Sequence, residues 1–489
     1  MIDLDNFIDG LARSGGARFD DRSPTDGSVV ARVAEATRSE LDDAVAIARR
    51  AQSAWAERPA PERGEILLRC GKILEERRDA IAQLMAREMG KCLREARGDV
   101  QEAIDTCLYA AGEGRRLFGR TVPSELPSKW ALTMPRPLGV VAAVTPWNFP
   151  IAVPSWKIVP ALLAGNAVVW KPAEEAPATG HELWRALVDG GVPAGALGIV
   201  HGGAEVGRAL VAHAGVDAIT FTGSTAAGRE IAEVAGRGLK RVSLELGGKN
   251  PCIVHADADL ALAADGLVWG AFGTAGQRCT ATSRLIVHRS IADELIARVA
   301  ERASRLRLGD PLDERTDVGP LIDAAAKARL ESAIAGARSD GLAVKSRAVD
   351  ASLAAGNFVA PSLVLDVPRD HALAQRELFG PLLAVLRYDD LDEAIAIANE
   401  IELGLSSSIY TRDVGLACRA VERIQAGITY VNSPTIGAEA HLPFGGVKAT
   451  GNGHREGGWA AYEFFCETKT VYLDFSGRLQ RAQLDNRTE

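Results

Sequence analysis

Apolar residues recur at helical spacing through the first part of the chain. Between positions 39 and 119 they return every three or four residues, which places them on one face of a helix. Ser39, followed by Glu40, is a plausible start of the first helix, because a serine side chain can accept hydrogen bonds from the first turn. The segment therefore predicts amphipathic helices. The clearest repeat is Leu41, Ala44, Ile47, Ala48 and Ala51.

Further along, short apolar runs alternate with helical segments in two stretches. In the first, 140–247, the strand-like runs are 140–145, 167–170, 198–201, 218–221 and 242–246. In the second, 251–443, they are 253–254, 285–287, 363–365, 384–386, 407–410 and 429–432. This alternation is typical of parallel sheets covered on both faces by helices, which bind ligands at the carboxyl ends of their strands. The pattern predicts an α/β fold with two doubly wound parallel-sheet domains.

Two strand-like segments lie far apart in the sequence, at 122–139 and 469–474. Neither can stand alone, so we expect them to form a small projecting sheet together. Two ordinary edge strands of a main sheet are the alternative. At 489 residues the chain is too long for one ordinary core, so two or three domains are expected.

The charge balance excludes several classes of partner. The net charge is −8, so the chain has no general attraction for nucleic acid or an anionic membrane. No apolar run approaches the ~18 residues that a membrane span requires. The first residues lack the basic start and apolar core of a secretory signal. We therefore expect a cytoplasmic protein.

Seven cysteines are scattered along the sequence, with no Cys-x-x-Cys pair and no Cys/His cluster at metal spacing. Free thiols and no bound metal are therefore expected. The cysteines at positions 70, 92, 107, 252, 418 and 466 fit small buried hydrophobic residues. The remaining one, Cys279, has a different setting.

Cys279 follows a glycine-rich turn and Arg278, between an apolar helical run and a strand-like run. Little side-chain bulk surrounds such a sulfur, so it can stand at the mouth of a cleft and act as a nucleophile. Upstream, Glu245 is a single carboxylate in an apolar strand that runs into a Gly-Gly turn. A thiol and a base are the groups needed to form a thioester and then activate water to hydrolyse it.

These two segments, Leu-Glu-Leu-Gly-Gly-Lys-Asn-Pro at 244–251 and Gly-x-x-Gly-Gln-Arg-Cys at 273–279, resemble the signature pair of the NAD(P)-dependent aldehyde dehydrogenase superfamily. The resemblance continues through most of the chain. It implies a homodimer or homotetramer and a small-molecule aldehyde substrate. The implied organisation is a Rossmann-like NAD-binding domain at 1–120 and 137–246, a catalytic domain at 247–447, a return to the first domain at 448–466, and an oligomerisation arm at 121–136 and 467–489.

The resemblance also implies a mechanism. The Cys279 thiolate attacks an aldehyde, a hydride passes to the nicotinamide, and Glu245 activates the water that releases the acid. Asn148 and the Cys279 backbone N–H match the donors that stabilise the oxyanion. Lys157 and Glu456 match positions proposed to relay protons away from the base.

A free cysteine ionises near pKa ~8.5, so some local group must favour the thiolate. The candidates are Arg278, Lys171, the positive charge of a bound nicotinamide, and proton removal by Glu245. The sequence does not choose among them.

The cofactor turn lacks the Gly-x-Gly-x-x-Gly pattern; instead Gly223 and Ser224 follow a strand and open a helix, where backbone N–H groups suit a pyrophosphate. Lys171 and Glu174 match the lysine and glutamate that, in the family that the chain resembles, reach the hydroxyls of the adenosine ribose. A carboxylate there accepts from a free 2′-hydroxyl and repels a 2′-phosphate, so NAD is favoured over NADP. The expected cofactor residues are Thr145, Pro146, Trp147, Lys171, Glu174, Gly207, Thr222, Gly223, Ser224, Leu246, Glu377 and Phe379.

Arg278 also bears on the substrate, because an arginine can hold a carboxylate bidentately. A structural ion pair or an outward orientation of Arg278 is the equal alternative. The loop 432–446 resembles the ketoglutaric and aminoadipic semialdehyde branches, although Glu439 would repel an acid if it faced inward. We expect a carboxylate-bearing aldehyde such as 2-oxoglutaric semialdehyde. The expected substrate residues are Arg278, Thr280, Trp156, Ser433 and Phe444, and the helix at 109–116 is a second source of entrance residues.

Three alternatives stay open. A neutral or aromatic aldehyde would suit a pocket lined by Trp147, Trp156 and Phe444. A CoA-acylating dehydrogenase would pass the acyl group to CoA, but it has no need of a water-activating base such as Glu245. A catalytically silent protein on the same fold is disfavoured because the residues for the chemistry are all present.

Overall fold

The computed structural model describes residues 1–485, so residues 486–489 of the expected arm segment 467–489 lie outside the described residues. The strands are β1 (Ile2–Leu4), β2 (Asn6–Ile8), β3 (Leu11–Arg13), β4 (Arg18–Arg22), β5 (Val29–Ala34), β6 (Thr121–Pro123), β7 (Lys129–Pro137), β8 (Val140–Val144), β9 (Ala167–Lys171), β10 (Leu197–Ile199), β11 (Ala218–Thr222), β12 (Arg241–Glu245), β13 (Asn250–Val254), β14 (Thr282–His288), β15 (Val344–Ser346), β16 (Ser362–Val364), β17 (Leu382–Tyr388), β18 (Leu403–Gly404), β19 (Ser406–Tyr410), β20 (Ile428–Val431), β21 (Val447–Lys448) and β22 (Cys466–Asp474). The helices are α1 (Arg38–Glu57), α2 (Ala60–Met89), α3 (Leu93–Glu113), α4 (Ala152–Ala164), α5 (Pro177–Asp189), α6 (Ala204–Ala212), α7 (Thr225–Arg237), α8 (Leu260–Phe272), α9 (Ala292–Arg305), α10 (Ala324–Ser339), α11 (Ala372–Gln375), α12 (Leu391–Asn399), α13 (Val414–Arg423) and α14 (Gly458–Phe465).

Two large sheets organise the fold. The first has the strand order β12-β11-β8-β9-β10-β2-β3, and β8 to β12 run parallel. The second has the order β15-β16-β17-β14-β13-β19-β20 and is parallel from β16 across to β20. Antiparallel strands close one edge of each sheet, β2 and β3 on the first and β15 on the second. The predicted α/β class with doubly wound parallel sheets is confirmed.

The central strands are buried on both faces, as their apolar runs require. Every residue of β9 and of β13 is buried. Helices cover both faces of such sheets, so the strands carry no polar face and read as continuous apolar runs. The chain passes from the first sheet to the second between Glu245, which ends β12, and Asn250, which begins β13. The sequence-derived domain boundaries themselves stay a prediction.

The two distant strand-like segments pair with each other. β22, β7 and β6 form a separate sheet in that order. The register of β22 on β7 is antiparallel, from Cys466 opposite Pro137 to Asp474 opposite Lys129. These strands therefore do not extend either main sheet. The role of this sheet in assembly stays a prediction.

The first helix begins two residues earlier than Ser39 would place its cap. The Thr37 side chain accepts a hydrogen bond from the Glu40 N–H at 3.2 Å, and the Glu40 carboxylate accepts one from the Thr37 N–H at 2.8 Å. This reciprocal pair is a capping box, which satisfies two free donors at once. The prediction of Ser39 as the cap was wrong, because Glu40 bonds the residue three positions before it.

The seven cysteines are all free. Four of the six expected to be buried are buried, and Cys466 is half-buried. For Cys418 the prediction was wrong, because this thiol is exposed on a helix that buries only Ala417 and Ala420. Among residues 1–485, no group of three or more His, Cys, Asp or Glu side chains is arranged to hold a metal ion. No helix in this described part is long and apolar enough to cross a membrane.

Candidate active site

Cys279 and Glu245 lie on the wall of the same cavity, which has a volume of about 410 Å³. Glu245 comes from the last strand of the first large sheet, and Cys279 lies just before β14 of the second. The rest of the wall comes mainly from α3, from the start of α4 and from the segment 437–444. The thiol and the carboxylate, which are separated in sequence, thus face one space.

The turn that precedes Cys279 is left-handed. Thr274, Ala275 and Gly276 have φ values of 51°, 51° and 68°. Residues with a Cβ rarely adopt this conformation. Glycine is required at position 276 because an added Cβ would lie 2.4 Å from the Gly380 carbonyl. The turn ends α8 and carries the thiol to the cavity.

Two asparagines hold the backbone around the thiol. The Asn250 side chain donates to the Cys279 carbonyl at 2.8 Å, and the buried Asn148 side chain donates to the Gln277 carbonyl at 3.1 Å. An asparagine amide has two N–H donors, so the second N–H of Asn148 remains for another acceptor. The structure thus brings Asn148 to the cysteine loop, although it is not among the described residues that line the cavity.

The Cys279 thiol is held in its protonated form. Burial, followed by the carboxylates of Glu377, Glu245 and Glu456, raises its pKa to about 12. Neither Lys171 nor Arg278 is among the groups with the largest effect on that pKa. Of the devices proposed from sequence, proton removal by Glu245 and a positive charge brought by a cofactor are therefore favoured.

Glu245 is a bare carboxylate in a buried position. Only 3% of the residue is exposed, and neither carboxylate oxygen has a hydrogen-bond partner among the described residues. Burial, followed by repulsion from Glu456, holds the pKa of Glu245 well above its usual range. A carboxylate with a raised pKa and free oxygens suits a general base.

Glu456 and Lys157 continue from Glu245 as a row of buried titratable groups. The Lys157 ammonium pairs with the Glu456 carboxylate and also donates to the Thr220 hydroxyl at 3.2 Å. Glu456 lies on the cavity wall because it pairs with Phe444 through two backbone hydrogen bonds of 2.6 and 2.7 Å. The row leads from the cavity wall into the interior, and its role as a proton relay stays a prediction.

The expected adenosine-side residues gather at the carboxyl ends of β9 and β11. Ser224 caps α7, with its hydroxyl accepting from the Ala227 N–H at 3.3 Å. An added Cβ at Gly223 would lie 2.4 Å from the Phe221 ring, so only glycine fits this turn. The Lys171 amine is buried with one backbone partner, the Pro172 carbonyl at 3.0 Å.

This set fits a dinucleotide. The N-terminus of α7 offers backbone N–H groups to a phosphate, and the glycine before it permits close approach. Burial lowers the pKa of Lys171, while nearby Glu174 and Glu175 raise it, so Glu174 lies close to the amine. Glu174 itself is exposed. An amine and an acid at one sheet edge can share the two hydroxyls of a ribose.

The other expected cofactor residues frame the opposite side. Glu377 accepts from the Gly248 N–H at 3.2 Å, and burial raises its pKa to about 7. Phe379 meets Trp147 edge-on, with ring centres 5.6 Å apart. The Thr145 hydroxyl accepts from the Trp170 indole N–H at 2.9 Å, so its O–H donor and one lone pair remain for a ligand. Of the remaining positions, Thr222 and Leu246 lie on the cavity wall.

Four of the five expected substrate residues line the cavity: Arg278, Thr280, Trp156 and Phe444. The rings of Trp156 and Phe444 lie 5.0 Å apart. Ser433 differs from the prediction. It is not on the described wall, and its carbonyl instead accepts a hydrogen bond from a buried serine hydroxyl of β19. The 109–116 helix end also lies elsewhere, since its Glu113 and Arg116 line a cavity beside the small sheet.

The sequence reasoning missed the first half of α3. Glu95, Asp99 and Glu102 all line the cavity, together with Arg94. The spacing 95, 99, 102 places three acids on one face of a helix, which is the signal that could have revealed them. Asp99 pairs with buried Lys91 at 2.5 Å, and Glu102 accepts from the Trp156 indole N–H at 3.2 Å.

Comparison with known proteins agrees with this geometry. Residues 11–471 match the model of a family described as the aldehyde dehydrogenase family. Alpha-ketoglutaric semialdehyde dehydrogenase of Bacillus subtilis (strain 168) is 38% identical over 479 residues, which cover 96% of this chain and 97% of that protein. Alpha-ketoglutarate semialdehyde dehydrogenase of Haloferax volcanii is 39% identical over 479 residues, covering 96% and 98%. The crystal structure of PnpE in complex with nicotinamide adenine dinucleotide superposes with a TM-score of 0.94 at 37% identity, covering 97% of this chain and 98% of that one.

Proposed function

Because the chain belongs to the aldehyde dehydrogenase family, we propose that it oxidises an aldehyde to its carboxylic acid with NAD, using Cys279 as the nucleophile and Glu245 as the base. The observation that carries this proposal is the shared cavity of these two side chains. The balanced reaction takes an aldehyde, water and NAD⁺ to a carboxylic acid, NADH and a proton.

In the first half of the reaction the Cys279 sulfur bonds to the aldehyde carbon, and the thiol proton passes to the bare Glu245 carboxylate. The free N–H of Asn148 and the Cys279 backbone N–H donate to the oxygen that becomes negative. NAD, when bound, accepts the hydride that leaves this carbon, and a thioester on Cys279 remains.

In the second half Glu245 takes a proton from water, and the water oxygen bonds to the thioester carbon. The carbon–sulfur bond then breaks, which releases the acid and restores the thiol. Before it can act on water, Glu245 passes the thiol proton to the Glu456–Lys157 pair. The proton that Glu245 then takes from water returns to the sulfur when the carbon–sulfur bond breaks. Glu245 argues against CoA as the acyl acceptor, because only hydrolysis needs a base for water.

The favoured substrate is a semialdehyde that carries a carboxylate, such as 2-oxoglutaric semialdehyde. The names of the Bacillus and Haloferax relatives support this class. Arg278 lies on the cavity wall, and its Nη1 donors are left over after its Nε and Nη2 atoms bond Thr274 and Glu95. A carboxylate can be held by that end of the guanidinium.

A neutral or aromatic aldehyde is the second candidate, because the ring pair Trp156 and Phe444 forms an apolar part of the wall. NAD is favoured over NADP because the Glu174 carboxylate, beside Lys171, would repel a 2′-phosphate. We place the enzyme in the cytoplasm as a homodimer or homotetramer. Free cysteines and the paired arm strands support that placement.

A substrate panel read by NADH or NADPH absorbance tests the proposal. Each semialdehyde acid is paired with an unsubstituted aldehyde of equal length, with NAD and NADP in parallel and CoA added separately. We expect NAD-dependent turnover without CoA and a higher kcat/KM for the acid. Cys279→Ala should abolish turnover and leave NAD binding intact. Turnover by that variant would refute the assignment of Cys279.

A further inference from the structure

Glu95 on α3 bonds the turn that carries Cys279 at three points. One of its carboxylate oxygens accepts from the Thr274 N–H at 2.8 Å, from the Thr274 hydroxyl at 3.2 Å and from Arg278 at 3.0 Å. The Glu95 side chain is only 3% exposed. A buried carboxylate is costly unless it is hydrogen-bonded. The Oε1 atom of this one is bonded to the cysteine loop, while its buried Oε2 atom has no partner among the described residues.

The turn needs such support from outside. Thr274 and Ala275 are held in the left-handed region, where their Cβ atoms are crowded, and Thr274 is also branched at that atom. Strained backbone of this kind persists only where surrounding structure holds it in place. Of the described anchors, Asn148 and Asn250 bond the chain after the turn, whereas Glu95 bonds the turn itself.

Arg278 completes the arrangement. Its Nε donates to the Thr274 hydroxyl at 3.0 Å, so that hydroxyl accepts from Arg278 and donates to Glu95. The guanidinium carbon lies over two rings, 5.4 Å from the centre of Phe149 and 5.0 Å from that of Trp269. These two cation–π contacts help to hold the guanidinium in place. Three side chains thus form a closed ring of hydrogen bonds next to the nucleophile.

We propose that Glu95 is a positioning residue, which acts through Thr274 and Arg278 to fix the left-handed turn so that the Cys279 sulfur faces the aldehyde. This inference rests on the proposed role of Cys279 as the nucleophile. Arg278 then serves first to hold the turn, and only its remaining donors are available to a substrate. Misplacing a reacting atom by ~1 Å can cost about 100-fold in rate, so loss of this ring should appear in the chemical step.

Glu95→Gln is the first test, because it keeps the shape of the side chain and removes its charge. The matched control is Glu75→Gln on α2, an exposed position outside the cavity. We expect Glu95→Gln to lower kcat and the rate constant of the first NADH burst about 10- to 100-fold. The KM for an unsubstituted aldehyde and the Kd for NAD should stay within about twofold of the parent values, because such an aldehyde does not use the Arg278 donors that Glu95 helps to position.

A second pair of variants tests the Thr274 hydroxyl. Thr274→Ala removes two of the hydrogen bonds and should lower the burst rate constant, whereas Thr274→Ser keeps the hydroxyl and should retain it. Glu95→Gln combined with Thr274→Ala should cost less than the product of the single losses, because Glu95→Gln weakens, through loss of its charge, the same ring that Thr274→Ala breaks. Thermal unfolding shows whether each variant is folded. If Glu95→Gln is not folded, the comparison of Thr274→Ala with Thr274→Ser tests the inference instead.

A burst rate constant within twofold of the parent in folded Glu95→Gln would overturn the inference. So would a loss confined to the KM for an unsubstituted aldehyde, because Glu95 would then act on the substrate directly. Equal activity of Thr274→Ala and Thr274→Ser would also overturn it. Turnover by Cys279→Ala is a separate failure, since it would remove the proposed function. If Cys279→Ala is inactive and the burst rate constant of Glu95→Gln is unaffected, the proposed function stands and only this inference is contradicted.

Discussion

Glu245 combines burial with two carboxylate oxygens that bond no described residue, and its pKa lies well above the usual range because of that burial. Glu245→Gln keeps the volume and removes the base. We expect steady-state kcat to fall about 10²- to 10⁴-fold, since that is the usual contribution of a general base. A slower NADH burst of one equivalent per site should remain, because the thioester forms before water is needed.

Stopped-flow measurement of NADH, with acid quench to count the thioester, checks this expectation. Glu75→Gln serves again as the folded, isosteric control, and it should behave as the parent. Undiminished steady-state turnover in Glu245→Gln would show that another group activates water.

The pH dependence of thiol reactivity follows from the Cys279 pKa, which burial raises to about 12. The thiolate is the reactive form, and a raised pKa means that it becomes abundant only at high pH. In the NAD-free enzyme, alkylation of Cys279 by iodoacetamide should therefore keep rising from pH 7 to 10 without levelling off. Peptide-resolved mass spectrometry measures it, with exposed Cys418 as an internal reference. A plateau near the ordinary cysteine pKa of ~8.5 would contradict the expectation.

At the scale of elements, a buried ion pair links the α2–α3 connection to α3, and its carboxylate also bonds the start of α4. Lys91 and Asp99 are 2.5 Å apart with both side chains fully buried, and Asp99 also accepts from the Ala152 N–H at the start of α4 at 2.7 Å. The Lys91 ammonium lies 3.6 Å from the centre of the Phe149 ring. Asp99 and Phe149 both line the cavity, so this pair supports its wall.

Lys91→Met should destabilise the protein by about 3–5 kcal/mol, because it leaves the Asp99 charge buried without a partner. The double variant Lys91→Met, Asp99→Leu should regain part of that loss, since well-packed apolar residues can replace a buried ion pair. Urea unfolding followed by intrinsic fluorescence measures both variants. A single variant as stable as the double one would contradict this account.

How far the sequence predicts an element depends on how regular its pattern is. The central strands were found because their apolar runs are continuous: the predicted run 140–145 became β8, and 384–386 became part of β17. β15 was not predicted, because an antiparallel edge strand of three residues, Val-Lys-Ser, has no periodicity to detect. The extended conformation of such an edge strand is determined by its pairing with the neighbouring strand.

In the candidate site, too, the sequence indicates the residues that belong to a motif but not those whose position depends on packing. Motif chemistry singled out Cys279 and Glu245, and the structure places them in one cavity. The face that α3 turns toward that cavity depends on packing against α4, so Glu95 was not found. Nor does the sequence indicate a left-handed Thr274, because only glycine signals positive φ and the supporting carboxylate is 179 positions away. Ser433 was misplaced because residue type does not fix the direction of a loop.

At the scale of the whole molecule, the two large sheets meet at the site. The base comes from the first sheet and the nucleophile from the second, while α3 reaches the wall between them. Catalytic geometry therefore depends on how the sheets pack together. An apolar surface away from this junction remains to be explained, on the separate sheet of β6, β7 and β22.

One face of that sheet is apolar and exposed. Trp130 and Leu132 of β7 stand opposite Leu473 and Val471 of β22, so directly paired residues share a face. Trp130 is 63% exposed and Leu473 48%. An exposed apolar face marks an interaction site, and a second copy of the chain is the partner that the expected homo-oligomer supplies. We therefore expect Trp130→Glu to dissociate the oligomer into smaller species, because a charge would be buried in the contact. Light scattering after size exclusion measures the mass of the oligomer. The control Val414→Glu, at an apolar site 79% exposed on α13, should keep the mass of the parent protein. An unchanged mass for Trp130→Glu would show that the subunits contact each other elsewhere.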